Sequence, residues 1–525
     1  MAFSAGRRRT GGIVERQSLM LPRELIESDD PLEARAECLL ERARWAADAF
    51  SRFDRARTLA VAEAVAEAAA ARARHYAEWA VRETGFGVAE HKAIKNEITS
   101  IGFFRHYHDR DFVGKRVRPE DKIVEIPRPA GVVFALTPST NPISTVYFKV
   151  MCALFTRNAI VLSPHPAARE CSVDAMDYLA EAARKAGAPD GVIQSVREPK
   201  LPMIRCIMAS PLVDVILATG GTPMVRAAYS SGNPAIGVGP GNAPAFVDAS
   251  ADLSRAASRI VESKSFDNSI LCTNESVVVA EAAIADRLLR ELARAGAHVC
   301  TDAECERLRA YLFTETGFNI EALGKSAITI AGAVGIRVPN TTRILVTPID
   351  RIASEERLSR EKLCPVLGFF RAAGRDQGIA ASRALLRMGG AGHSAAIHSR
   401  DEAAIMAFAA RVPALRVVVN SPCSQGAAGF GTHLAPSFTI GTGFFGRSSV
   451  GENIGPEHLV NWTRIAYSTE ESEPMGDFSA VDPWRDADAD APTPVPPAPA
   501  AIGEDRVRDE IRRIILEELR DIMAN

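Results

Sequence analysis

Four short apolar runs set the terms on which this chain can fold: GVVFAL (131–136), AIVLS (159–163), DVILAT (214–219) and APAFVD (243–248). Each is too short for a buried helix, dense in β-forming residues and apolar on both faces, as a strand covered on both sides must be. Between them lie longer stretches of helical character, such as ECSVDAMDYLAEAARKAG (170–187). Strand and helix in alternation demand a parallel sheet with helices on its faces. A second series follows: SVVVAE (276–281), RILVTP (343–348), LGFFRA (367–372), SAAIHS (394–399) and LRVVVNS (415–421). The chain therefore reads as two α/β sheets, one before and one after about residue 245.

The flanks differ. Residues 1–22 read as disordered. Residues 31–83 hold no proline after Pro31 and are rich in Ala, Arg, Glu and Leu, a helical region that Gly85 and Gly87 punctuate. A further helix is expected through AEHKAIKNEITSIGFFRHYH (89–108). From 470 to 502 the composition turns acidic and then Pro/Ala-rich, as in an extended linker. In 503–525 the residues Val507, Ile511, Ile514, Ile515, Ile522 and Met523 fall on one face of an amphipathic helix. A short amphipathic helix on a long tether has the form of a docking device.

Composition excludes several classes. The net charge of −3, from 62 basic and 65 acidic residues, gives no electrostatic case for nucleic acid. No apolar run approaches the ~20 residues of a membrane helix. The nine cysteines are scattered and odd in number, which points to reduced thiols in a cytosol-like compartment. No Cys/His set has metal spacing, and the HxH of His106 and His108 lacks further partners, so no metal is expected.

In parallel sheets ligands gather beyond the carboxyl ends of strands. The loops there carry Asn141 in TPSTNPIST, Ser163 and His165 in SPHP, and Thr219, Gly220, Gly221 and Thr222 in TGGT. The glycines suit either a phosphate approaching backbone N–H groups or a plain tight turn. Cys272, in SKSFDNSILCTNES (263–276), lies among small polar residues just before a strand. A nucleophilic thiol needs an electropositive setting that lowers its pKa, and a donor for the oxyanion it creates; the Asn141 amide could be that donor. These residues alone leave Cys272 open between nucleophile and core.

Over roughly residues 25–468 the chain resembles the CoA-acylating branch of the aldehyde dehydrogenase superfamily. The motifs that carry the resemblance are TPSTNPISTVYFK, TRNAIVLSPHP, VILATGGTPMVRAAYSSGNPAIGVGPGNAP, SKSFDNSILCTNES, EKLCPV, MGGAGHS, NSPCSQG and GENIGPEHL, in the family's order. The resemblance implies a Rossmann-like cofactor domain (23–111 and 129–244), an α/β catalytic domain (245–460) and a small β element for oligomerisation (112–128 and 461–469). It makes Cys272 the nucleophile, Asn141 the oxyanion donor and Glu361 the residue that orients the nicotinamide ribose. Ser163, His165, Thr219 to Thr222 and Gly239 become cofactor contacts. Ile270, Leu271 and Thr273 border the aldehyde pocket, and His393 either positions or deprotonates the CoA thiol or is a structural histidine bonding a loop. Hydrolytic members carry a glutamate that activates water; here Val238 stands near that place, and a valine is no base. The implied reaction oxidises a short aldehyde, propionaldehyde first and acetaldehyde second, to acyl-CoA through a Cys272 thioester, with NAD+ ahead of NADP+. Release of the free acid and a silent scaffold are the rivals. Residues 503–525 resemble an encapsulation peptide, which implies a cytoplasmic enzyme inside a bacterial microcompartment, as a dimer or dimer of dimers.

Overall fold

The computed structural model describes residues 31–315 and 317–483. All nine runs named above form strands, each within two residues of its expected bounds. The helical region 31–83 divides into Pro31–Phe50, Arg55–Ala71 and Ala73–Thr84, and Gly85 closes the last of them with φ +71°. The next helix, Ala89–Glu97, runs through a π turn at Ile98–Gly102 into Phe103–Tyr107. Asp54 caps the second helix, its carboxylate accepting from the Arg57 N–H at 2.8 Å.

The first sheet is parallel, in the spatial order Ile193–Ser195, Ala159–Ser163, Val132–Leu136, Val215–Thr219, Ala235–Val238. Its order reverses between Val132–Leu136 and Val215–Thr219, which opens a crevice beyond their carboxyl ends. The helix Pro142–Phe155 is buried along its whole length. Its Lys149 is buried beside that reversal and donates to the carbonyls of Leu136 and Leu217, both at 2.7 Å. One side chain thus ties the two diverging strands together.

The second sheet has seven parallel strands, in the order Ala297–Val299, Ile344–Ile349, Val366–Ala372, Glu275–Glu281, Ala243–Val247, Gly392–His398, Ala414–Val419. Here the expectation needs correction. The run APAFVD, grouped with the first sheet, lies in the middle of the second, so a division at 244/245 cuts a strand. Three strands not expected, Ile193–Ser195, Ala235–Val238 and Ala297–Val299, are all at sheet edges.

The segments 112–128 and 461–469 do come together. Arg116–Arg118, Ile123–Pro129 and Val460–Ala466 form a three-stranded antiparallel sheet. The chain does not leave the fold at 470. Lys122 Nζ donates to the carbonyls of Ser468, Glu470 and Glu473, and Tyr467 meets Phe478 edge to face. The expected disordered segment 1–22, the rest of the linker and the amphipathic helix 503–525 lie outside the described residues. Among the described residues no helix is long and apolar enough to cross a membrane.

Candidate active site

The two sheets meet at a cavity of about 550 Å³, and they contribute opposite ends. The first sheet brings the carboxyl ends of its strands: Thr137 to Asn141, Ser163 to Pro166, and Thr219 to Thr222. The second brings amino ends. Cys272 precedes Glu275–Glu281, Gly241 precedes Ala243–Val247 and Glu361 precedes Val366–Ala372. Every expected site residue except His393 lines this cavity, and so does Val238.

Asn141 sits at the start of Pro142–Phe155, where a proline is well tolerated at the first helical position. Its carbonyl accepts from Thr145 N at 3.1 Å and Thr145 Oγ1 at 2.6 Å. Its side-chain oxygen accepts from Lys95 Nζ, while Nδ2 donates to Thr140 Oγ1 at 3.3 Å.

Cys272 is half-buried. Burial first, and then the Glu361 carboxylate, push its thiol up to about 12; Arg416 and a backbone hydrogen bond pull the other way. The electropositive setting expected for this thiol is therefore only in part present. Burial also raises Glu361, to about 7, against the N–H of Gly241, which donates to Oε1 at 3.0 Å. Gly241 is the hinge of this arrangement: a Cβ there would lie 2.0 Å from the Cys272 carbonyl oxygen and 3.0 Å from Glu361 Oε1. That close approach is why the stretch VGPGN needs its second glycine.

Ser163 Oγ is buried against the cavity with no hydrogen-bond partner among the described residues. Burial holds His165 below the ordinary imidazole range, and its Nδ1 accepts from Ala167 N at 3.1 Å, so Nε2 is left as a donor. Gly221 caps the helix Thr222–Tyr229; Pro223 has no N–H and the N–H groups of Met224 and Val225 donate to the Gly221 carbonyl at 3.0 and 3.2 Å, so the Thr222 N–H is the one its start leaves on the cavity side. Thr273 turns its hydroxyl to the Ser424 carbonyl at 2.8 Å. Among the described residues that line the cavity there is no lysine or arginine.

His393 stands apart from the other expected residues. It begins a strand of the second sheet, is fully buried, and does not line the cavity. Burial, with Arg416 close by, lowers its imidazole to about 3, so the ring is neutral in this structure. Its Nδ1 lies 2.8 Å from Ser394 Oγ and its Nε2 has no partner.

Three groups went unread in the sequence: Lys95, Lys92 and Asp267, which form a buried ionic cluster behind Asn141. The signal available was two lysines and Asn96 on one face of Ala89–Glu97.

A profile of the Aldehyde dehydrogenase family matches residues 25–306. The aldehyde-alcohol dehydrogenase of Clostridium acetobutylicum is 40% identical over 400 residues, 75% of this chain and 46% of that protein. The chain thus spans about half the length of such curated relatives. The acetylating aldehyde dehydrogenase of Geobacillus thermoglucosidasius superposes with a TM-score of 0.82 at 36% identity, covering 84% of this chain and 98% of that one. The propionaldehyde dehydrogenase of the Clostridium phytofermentans fucose utilisation microcompartment superposes with a TM-score of 0.76 at 29% identity, covering 82% and 97%. The chain belongs to the aldehyde dehydrogenase family.

Proposed function

We infer that the protein oxidises a short uncharged aldehyde, propionaldehyde before acetaldehyde, to its CoA thioester, with NAD+ as hydride acceptor. The observation that carries this reading is the juxtaposition of Cys272, Asn141 and Glu361 in one cavity whose wall at Val238 has no base. Cys272 adds to the aldehyde carbonyl, and the Asn141 amide meets the oxygen that becomes negative. NAD+ supplies the hydride acceptor when bound. Loss of hydride from the adduct leaves an acyl group on Cys272, and the CoA thiol takes that group. Covalent catalysis of this kind divides one hard step into two and gives ping-pong kinetics.

The cofactor side fits NAD+. The orphaned Ser163 Oγ, the Nε2 donor of His165 and the helix start at Thr222 suit ribose hydroxyls and a pyrophosphate. A 2′-phosphate would ask for a cation, and the lining offers none. The aldehyde side is apolar, with Ile270, Leu271, Phe438 and Ile440 on its wall. The same lack of lysine and arginine disfavours anionic aldehydes.

The test is NADH formation from propionaldehyde with and without CoA, in wild type and Cys272→Ala. CoA-dependent turnover that vanishes with the mutation supports the reading. Steady NADH formation without CoA makes water the acceptor and overturns it. Succinate semialdehyde should be turned over at least ~100-fold less efficiently than propionaldehyde, by the cost of an unpaired buried charge.

The likeness of 503–525 to an encapsulation peptide supports a place inside a microcompartment, and the exposed three-stranded sheet supports pairing of subunits. Deleting residues 484–525 should leave turnover intact and abolish co-localisation with shell proteins. Unchanged co-localisation would refute that assignment.

A further inference from the structure

Behind Asn141 lies a charge arrangement that the reaction, as so far described, does not use. Lys92 and Lys95 are three residues apart on Ala89–Glu97, so they share a face, and both are buried. Both reach Asp267, Lys92 at 3.1 Å and Lys95 in a short contact. Lys92 Nζ also donates to the Thr140 carbonyl at 2.9 Å. Lys95 Nζ instead donates to Asn141 Oδ1. Asp267 Oδ1 accepts from Val88 N at 2.6 Å, and its own N–H donates to His91 Nδ1 at 2.9 Å.

Asp267 opens a turn that a chain of L-residues resists. Asp267, Asn268 and Ser269 have φ of +50°, +52° and +61°, three successive non-glycine residues in the left-handed region. Each costs on the order of 1–2 kcal/mol, so such a turn persists only when its surroundings hold it. Cys272 follows three residues later. The lysines hold the turn from one side. At Gly87, φ +79°, a Cβ would lie 2.1 Å from Asp267 Oδ1, so the backbone closes on it from the other.

An amide has an accepting end and a donating end. With a cation on Oδ1, the end of Asn141 that remains for the cavity is the N–H donor. The same cation draws electron density toward Oδ1 and makes that N–H a stronger donor. Charge counting gives a second reason to look here. Two lysines face one carboxylate, so the cluster lacks one negative charge when both are protonated. Burial holds the Lys95 ammonium down to about 7 in spite of Asp267, while no other acid among its described contacts completes the balance. An oxyanion on the far side of the Asn141 amide would.

Resting on the function proposed above, we propose that Lys95 is a positioning residue for that chemistry: one ammonium fixes the Asn141 donor toward the cavity and ties it to the Asp267 turn that carries Cys272. No proton leaves Lys95. When the Cys272 sulfur bonds to the carbonyl carbon, the π pair moves to oxygen, and Lys95 stabilises that charge through the polarised amide. Lys92 supports the same turn without touching the amide, and so serves as the comparison.

The experiment uses the full chain, NAD+ and propionaldehyde without CoA, with the single-turnover NADH burst followed by rapid mixing. Lys95→Met should slow the burst ~100-fold, the scale seen when one oxyanion donor is lost. Its KM for NAD+ should change less than about twofold, and alkylation of Cys272 by iodoacetamide should stay within about threefold of wild type. Lys92→Met should lower Tm by a similar amount and slow the burst at least ~10-fold less than Lys95→Met. In an Asn141→Ala background, Lys95→Met should add little further loss, because its effect runs through that amide. A burst within threefold of wild type, full additivity with Asn141→Ala, or burst and alkylation falling together would overturn the proposal. Lys95→Gln, nearly as long and without the charge, carries the same expectation if the methionine variant does not fold. If neither variant yields folded protein, Lys95 is structural only and the proposal fails. A wild-type protein with no burst from any aldehyde would instead sink the proposed function, before any variant is made.

Discussion

Of the two polar groups expected to serve Cys272, Asn141 lines the cavity and His393 does not, and their surroundings are built in opposite ways. On the Asn141 side the groups form a continuous chain: Asn141 Oδ1 accepts from Lys95, Lys95 donates to Asp267, the Asp267 carboxylate accepts from Val88 N, and the Asp267 N–H donates to His91 Nδ1. On the His393 side a buried imidazole has one ring nitrogen without a partner, next to Arg416, a buried cation whose hydrogen bonds go chiefly to backbone carbonyls. Preorganised dipoles stabilise developing charge without reorganising at the moment of reaction. On the function proposed above, the half of the reaction that makes the thioester is therefore arranged in advance, and no such arrangement surrounds His393.

The largest effects belong to the arranged side. Cys272→Ala should abolish NADH formation, a loss of at least ~10⁴-fold, because nothing replaces a covalent nucleophile. Asn141→Ala should cost ~10²–10³-fold in the burst rate and leave Cys272 open to alkylation. A burst in Asn141→Ala as fast as wild type would remove the oxyanion assignment and with it the contrast drawn here. Gly241→Ala attacks the geometry instead. Its Cβ meets backbone at 2.0 Å, where no side chain can swing away, so a loss of at least about 1–3 kcal/mol of stability and a fall in Tm are expected by thermal melting.

Much of this was legible in the sequence, for physical reasons. Buried parallel strands write themselves as dense apolar runs, and all nine such runs are strands. The strands of the two large sheets that were missed are edges of three or four residues, Ile193–Ser195, Ala235–Val238 and Ala297–Val299, too short to build up a pattern, and the two-residue strands Phe313–Thr314 and Gly317–Phe318 are shorter still. The run Ala243–Val247 was visible as a strand but not as a member of the second sheet, because its partners, Glu275–Glu281 and Gly392–His398, are set by long-range pairing. The cavity residues followed from loops at strand ends and from the motifs. Lys92 and Lys95 did not. Nothing within AEHKAIKNE sets them apart from solvated lysines, and the carboxylate they meet is more than 170 residues away.

Glu361 gives a smaller and sharper test. It is neutral below about 7 and charged above, and in its charged form it opposes the Cys272 thiolate. Glu361→Gln should therefore speed iodoacetamide alkylation at pH 8 by about 3–10-fold and change it little at pH 5.5, where the carboxyl is already protonated. An equal effect at both pH values would mean that the residue acts by shape and not by charge.

The smallest effect tests the loose side. His393 is neutral in the fold, lowered from 6.5 to about 3, so its contribution to stability is complete above pH 6.5 and is lost as pH falls toward 3. His398, lowered to about 4 by burial and Arg259, adds a slope of the same sign over the same range. His393→Asn cannot take up that proton, and it should flatten part of the acid limb of Tm against pH, by no more than about 1.4 kcal/mol per pH unit. The kinetic reading is separate. If His393 serves only the packing around Arg416, its replacement slows the NADH burst and the later transfer to CoA by the same factor. If the unpartnered Nε2 comes to the thiol when CoA binds, transfer alone slows, and the two surroundings differ because one of them is completed by the second substrate.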